Sequence, residues 1–192
     1  MAIAQPVIRY DLDRDVRTLE AMAARLVPYV YENELYGAMP GDLPRLTVGG
    51  FLMRVHRLSA ISSLLIPKQQ EAVKTAQEQL DKVRREWTVA YEGKIAREFQ
   101  ARLTALNQFL NEYADNPRSA AENYPTNAEK RVILEALMDE AANLNALTAD
   151  MKNALGATDN KLRRYTQPDG FIWDERLRPA YPQDKYWFLY VK

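Results

Sequence analysis

Apolar residues recur every three or four positions along most of this chain, the spacing that places them on one face of an α-helix. The first such face is made by Val16, Leu19, Ala23, Leu26 and Val30. It predicts a helix over about 14–35, with a kink at Pro28 because proline removes a backbone hydrogen bond. The next apolar pattern predicts a second helix over about 48–66, and Thr47 is a suitable N-cap for it.

The longest uninterrupted pattern runs over 68–113 and predicts a single helix. This stretch contains no proline and one glycine, Gly93, and whether that glycine breaks the helix stays open. Its apolar seam begins with the three-four steps of a coiled coil and changes to steps of four at Trp87 and Tyr91. An unbroken helix of this length would be roughly 70 Å long, which predicts an elongated molecule.

A fourth helix is predicted over about 127–155. Thr126 and Glu129 match a capping box at its start, and Gly156 is a suitable left-handed stop at its end. Because the connection to the preceding helix is short, the two should pair antiparallel as a long helical hairpin. The predicted fold class is therefore all-α: an elongated four-helix bundle, spanning 1–156, with an irregular, aromatic-rich C-terminal segment.

This C-terminal segment, 157–192, is rich in aromatic residues and is interrupted by three prolines. Large aromatic side chains are enriched in protein interfaces, but they also cap the apolar ends of bundles. Packing on the chain's own bundle and packing on a partner both remain open. The candidate interface anchors are Trp173, Tyr186, Trp187, Phe188 and Tyr190.

Composition narrows the class of protein. The 26 basic and 26 acidic side chains give a formal net charge of zero, so no overall field attracts nucleic acid, and nucleic-acid binding is not expected. The absence of cysteine argues against a small secreted disulfide-rich domain. No run of apolar residues reaches membrane-spanning length, and no signal peptide is recognisable at the start. A cytoplasmic location is expected.

Histidine and carboxylate patterns offer no clear catalytic or metal site. His56 is the only histidine, and Leu52 and Ala60, one turn away on either side, are not ligands. A zinc site normally needs three or four nitrogen or sulfur ligands, so neither a metal nor another cofactor is expected. No catalytic residue is assigned.

One polar cluster in the second helix merits attention. Thr47 precedes Gly49 and Gly50 at the helix start, where free amides and the helix dipole favour an anion. Arg54, His56 and Arg57 follow in the same helix. The alternative is that Gly49 and Gly50 let another backbone pack closely, and this alternative is favoured because phosphate-loop spacing is missing.

These patterns favour a non-catalytic helical scaffold or protein-interaction protein. We expect it to self-associate or to bind a protein partner, because it combines a long apolar seam with an excess of aromatic residues at one end. The alternative hypothesis is a helical bundle that binds a small ligand, or an enzyme that uses scattered carboxylates. An apolar cavity that contains several titrating carboxylates, or a co-purifying molecule, would favour that alternative.

Overall fold

The computed structural model of this protein describes residues 9–192 and confirms the all-α fold. None of the helices in this range is both long and apolar enough to span a bilayer. Short 3-10 helices occur at Ser62–Leu64, Glu175–Ala180 and Trp187–Leu189. The α-helices of the described residues are α1 (Leu12–Tyr31), α2 (Val48–Ala60), α3 (Pro67–Glu86), α4 (Thr88–Asp115), α5 (Pro117–Asn143) and α6 (Ala149–Tyr165).

Helices α1 and α3 run parallel, side by side. Near their first turns, the Gln69 side chain donates to Asp13 over 2.8 Å. At their other ends, the rings of Tyr31 and Trp87 lie 4.9 Å apart between centroids. Helix α2 packs against α1, α5 and the 3-10 turn Glu175–Ala180.

The predicted helical hairpin is present and is formed by α4 and α5. A single residue, Asn116, joins them, and its side chain accepts from the Ser119 amide to cap α5. Tyr91 at the start of α4 bonds Glu140 near the end of α5, whereas Phe109 stacks on Tyr124 near the turn. The two helices are therefore antiparallel along most of their lengths, and α6 packs on α4.

The predicted single helix over 68–113 is wrong, since it divides at Trp87 rather than at Gly93. The backbone of Trp87 leaves helical geometry, with φ −129° and ψ 30°. The Thr88 hydroxyl donates to the Arg84 carbonyl over 2.7 Å and so replaces a backbone bond of the continuing helix. The pieces α3 and α4 are roughly 30 and 42 Å long, which removes the basis for a 70 Å rod.

The predicted helix over 127–155 is also wrong in its bounds. The chain is already helical from Pro117, and α5 ends at Asn143. The stop is Asn145, whose φ of 57° is left-handed, and the Ala146 amide then bonds the Ala141 carbonyl. Thr148 caps the next helix by accepting from the Met151 amide, so Gly156 lies inside α6 rather than at a helix end.

The first two helices are shorter than predicted. Helix α1 ends at Tyr31 rather than near residue 35, because the Tyr29 hydroxyl bonds the Leu35 carbonyl and draws the chain away. Helix α2 ends at Ala60 rather than at 66. After it, the 3-10 turn Ser62–Leu64 leads into Pro67 at the start of α3.

The C-terminal segment begins after α6, at 166, and folds back on itself. Gln167 and Lys192 exchange two backbone hydrogen bonds, of 3.0 and 2.9 Å. The 3-10 turns of this segment pack on α2 and α5. Its buried side chains belong to the same apolar cluster as those of the helices, so this segment extends the core of the bundle.

Gly49 marks the closest approach between α2 and its neighbours. A Cβ atom at this position would lie 2.5 Å from Ile133 Cγ2 and 3.0 Å from the Glu98 carboxylate. At Gly93 and Gly156, also inside helices, a Cβ would meet nothing within 4 Å.

Alanine substitutions at these glycines are expected to change stability in opposite directions. Gly49→Ala should lower the free energy of unfolding by about 1–3 kcal/mol through overpacking. Gly156→Ala should raise it by about 0.5–1 kcal/mol, because alanine loses less backbone entropy in a helix. Urea denaturation measures the free energy of unfolding of both variants. Gly93→Ala is the matched control, because a Cβ at that helical glycine would also meet nothing within 4 Å. Destabilisation by Gly156→Ala would contradict its placement inside α6.

Candidate functional site

A solvent-open cleft of about 480 Å³ lies where α1, α2, α5 and the C-terminal segment meet. Its deepest charged side chains are Asp15 from α1 and Arg54 and Arg57 from α2, and all three are buried. Arg54 and Arg57 share a face of α2 because residues three apart are neighbours on a helix. Two positive groups and one negative group therefore lie at the floor of the cleft.

Asp15 and Arg57 form a two-pronged ion pair. Arg57 Nε donates to Asp15 Oδ2 over 2.6 Å, and its Nη2 donates to Oδ1. The Tyr10 hydroxyl adds a third hydrogen bond to the same carboxylate, at 2.7 Å from Oδ2. Both carboxylate oxygens are thus engaged, and the geometry is the planar one that arginine and carboxylate favour.

Arg54 is less well satisfied than its neighbour. Its Nη1 donates to the Gly50 carbonyl over 2.8 Å. Its Nε lies 3.1 Å from Asp15 Oδ1 but is buried without a hydrogen-bond partner among residues 9–192. The side chain is 9% exposed. A buried guanidinium with an unused donor is costly to desolvate, and the exposed part of the Arg54 side chain, which lines the cleft, is the part that an added anionic group would contact.

The charges of this trio perturb one another. Burial alone would raise the pKa of Asp15, but the charge and hydrogen bonds of Arg57, with help from Arg54, lower it overall. Burial and the charge of Arg57 lower the pKa of Arg54, against the opposing charges of Asp15 and Glu129. Asp15 is therefore held ionised, and its single charge is shared between two cations.

Two buried tyrosine hydroxyls lie around this trio. Burial, followed by the charge of Asp15, raises the pKa of Tyr10 well above its ordinary value. Burial likewise raises the pKa of Tyr181 to about 12. The Tyr181 hydroxyl has no hydrogen-bond partner in the described part of the chain. Both phenols remain neutral near pH 7, and the Tyr10 hydroxyl serves as a hydrogen-bond donor to Asp15.

The rim of the cleft carries further ionisable groups. Arg14 pairs with Asp42 at 3.2 Å. Asp174 pairs with Arg176 at 2.9 Å and also accepts from the Tyr10 amide at 3.1 Å. The contact between Tyr10 and Asp174 joins the residues just before α1 to the C-terminal segment, so both regions build the rim.

An apolar wall completes the cleft. Trp173 is buried, and its Nε1 donates to the Pro125 carbonyl over 2.7 Å. Pro125 and Leu177 continue the same wall. A concave site that combines apolar surface with a few placed polar groups is the usual form of a small-molecule site.

The predicted polar cluster of α2 is divided by the structure. Arg54 and Arg57 meet at the cleft, but Thr47 lies elsewhere as the N-cap of α2, accepting from the Gly50 amide at 3.0 Å. The anion at that helix start is the chain's own Glu98, which accepts from the Gly49 amide at 2.7 Å and is fully buried. The close contacts at Gly49 are made by the side chains of Ile133 and Glu98, whereas the predicted contact at these glycines was with another backbone.

His56 lies outside the trio. Its ring nitrogen Nε2 is 2.7 Å from the Ala180 carbonyl, which requires that this nitrogen donate. Its neighbours are the rings of Tyr181 and Tyr186, at 5.8 and 6.0 Å between centroids. The residue fixes the C-terminal segment onto α2 and contributes nothing to the cleft floor.

Four of the five candidate interface anchors are buried within this chain, the arrangement expected if this segment packs on the chain's own bundle. Trp173 forms the cleft wall, Phe188 lies under the Arg131 guanidinium at 4.5 Å, and the Tyr190 hydroxyl bonds the Tyr181 carbonyl. Tyr186 packs edge-on against Tyr181. The fifth, Trp187, is half-buried beneath Arg163, 3.5 Å from its ring centroid.

Asp15 was not among the predicted site residues, although the sequence contains a signal for it. Asp15 precedes Leu19 by four residues and Met22 by seven, so it lies on the apolar stripe of α1. Glu140 follows Leu137 by three residues, and it is buried in the same way. A charged residue in register with an apolar stripe indicates a buried ion pair or a polar site.

Comparison with known proteins gives no match to any family model, curated protein or solved structure. Among residues 9–192, no group of three or more His, Asp or Glu side chains is arranged to hold a metal ion. Arguments about function therefore rest on the geometry of the cleft.

Replacing Asp15 tests the energetic role of the trio. Asp15→Asn should lower the free energy of unfolding at pH 7 by about 3–5 kcal/mol, because it leaves two buried guanidinium groups without their anion. The exposed pair of Arg118 and Glu122 supplies a control: Glu122→Gln should cost well under about 1 kcal/mol. Urea denaturation measures both.

The same variant predicts a pH dependence. Since the folded state lowers the pKa of Asp15, its contribution is present above its unfolded value of about 4 and is lost as pH falls through the folded value. The stability difference between wild type and Asp15→Asn should therefore shrink in acid. A difference that is equal at pH 7 and at pH 3 would contradict an ionised Asp15.

Proposed function

We propose that this protein binds a small organic acid, with Arg54 as the group that receives the ligand's carboxylate. The observation that carries the proposal is the buried, incompletely bonded guanidinium of Arg54 at the floor of an open cleft. A carboxylate is the complement of a guanidinium in both charge and planar geometry.

The dimensions of the cleft support a small ligand. Its volume of about 480 Å³ falls within the usual range for small-molecule sites. Trp173, Pro125 and Leu177 supply apolar surface beside the charged floor. A ligand with an acidic head and an apolar or aromatic body would satisfy both parts of this lining.

Binding without turnover is the simplest role for these groups. The deepest carboxylate, Asp15, accepts three hydrogen bonds from Arg57 and Tyr10, so its oxygens are occupied by structural partners. A general base needs a free oxygen near its substrate and a pKa near the working pH. Asp15 has neither, and this favours the ligand-binding alternative without a catalytic step.

The proposal predicts that the protein binds 3-phenylpropionate and that Arg54→Met weakens binding by about tenfold or more, the effect of losing a hydrogen bond between charged groups. Isothermal titration calorimetry measures the affinity. Asp15 keeps its bonds to Arg57 and Tyr10 in this variant, so the fold should persist. Arg178→Met is the control, because Arg178 pairs with Glu175 on an exposed turn. Equal affinity in all three proteins would contradict the role of Arg54.

Self-association is a second candidate function, favoured by an exposed apolar patch where α3 meets α4. Tyr31 is 56% exposed, Trp87 37% and Val89 84%. Large apolar side chains grouped at a surface favour an interface, and aromatic residues favour it most. On this second proposal the patch contacts a second copy of the chain.

Substitution of Val89 tests the self-association proposal without touching the core. Val89→Glu should convert a dimer into a monomer, because it places a charge in an apolar contact. Thr104→Glu, at another exposed position of α4, should leave the dimer intact. Sedimentation velocity measures the mass in solution, and a monomeric wild-type protein at high concentration would exclude this candidate.

A further inference from the structure

We propose that the ligand of this cleft is zwitterionic, of the α-amino acid class, with its carboxylate on Arg54 and its ammonium group on Glu129. This inference rests on the proposed function, since it assigns the second polar end of the same ligand. It follows from an opposite charge that the cleft presents beside Arg54.

Glu129 supplies that opposite charge. It lies on α5, and its exposed side chain forms part of the lining of the cleft. It lines the same cleft as Arg54 and Trp173. Within 9–192 the Glu129 carboxylate forms neither an ion pair nor a side-chain hydrogen bond. The Arg54 Nε likewise lacks a hydrogen-bond partner in this range.

The other acidic groups of the rim are already engaged. Asp11 caps α1 by accepting from the Arg14 amide at 2.9 Å, and Asp42 pairs with Arg14. Asp174 is held by Arg176 and by the Tyr10 amide. Glu129 therefore differs from its acidic neighbours in having its hydrogen-bonding capacity available to a ligand.

A ligand that carries only a negative charge would pair with Arg54 but not with Glu129. It would compensate Arg54 but would also meet the negative charge of Glu129, and like charges in a partly desolvated cleft repel. A ligand that carries both an acid and an ammonium group pairs with each wall. The apolar surface of Trp173 and Leu177 then accommodates its side chain.

Three probes that share a phenyl ring separate the two ends of the ligand. L-Phenylalanine has both charges, 3-phenylpropionate lacks the ammonium group and 2-phenylethylamine lacks the carboxylate. Calorimetric titration of the full-length protein at pH 7 should give an affinity for phenylalanine roughly tenfold above that for 3-phenylpropionate, the effect of one added charge-assisted hydrogen bond. 2-Phenylethylamine should bind more weakly than phenylalanine by a similar factor.

Variants assign each end. Glu129→Gln should remove the preference for phenylalanine and leave the affinity for 3-phenylpropionate equal or higher, whereas Glu122→Gln, on the exposed surface of α5, should preserve the preference. Glu129 is exposed, so its substitution is not expected to disturb folding. Arg54→Met should weaken the binding of both phenylalanine and 3-phenylpropionate.

The outcomes distinguish this inference from the proposed function. Equal, Arg54-dependent binding of phenylalanine and 3-phenylpropionate would overturn the zwitterion assignment and leave acid binding intact. A preference that survives Glu129→Gln would overturn the assignment of the ammonium site. Failure of both acids to bind would overturn the proposed function, and the inference with it.

Discussion

The carboxylate of Asp15 joins the first helix to the second, and the cleft depends on this connection. It holds Arg57 in a two-pronged pair, lies 3.1 Å from Arg54 and accepts from Tyr10. Both guanidinium groups are buried, and a buried cation without a partner is strongly unfavourable. The position of α2 against α1 is thus fixed by charge as well as by apolar packing, and the cleft-facing side of Arg54 is fixed with it.

The same arrangement recurs elsewhere in the bundle. Glu98 of α4 accepts from the first turn of α2, and Glu140 of α5 holds Arg84 of α3 and Tyr91 of α4. Apolar contact is non-directional and allows helices to slide or rotate against one another. Each buried carboxylate adds a directional contact between helices, which favours a single register. The trio at the cleft differs from the other two sites because its positive charge exceeds its negative charge.

Periodicity predicted the all-α fold and the hairpin, because apolar spacing directly reports which residues face the core. It failed at the helix ends. The apolar seams continue through Trp87 and Leu144 with helical spacing. The chain nevertheless leaves helical geometry at Trp87 and turns just after Leu144. The decisive groups there were Thr88 and Asn145, whose effects depend on backbone bonds that spacing does not report. Arg54 and Arg57 were identified, whereas Asp15 was overlooked because its partners lie in another helix.

The cleft draws on both ends of the chain. Tyr10 and Asp15 come from its beginning, whereas Trp173 and Asp174 come from its last quarter, and the Tyr10 amide bonds the Asp174 carboxylate. During synthesis on the ribosome, α1 and α2 emerge long before the residues that wall the cleft. Asp15 and its arginines therefore lack the part of the apolar wall made by Trp173 and Leu177 until those residues have been added, and a chain that stops before them lacks the complete cleft even where its first helices have formed.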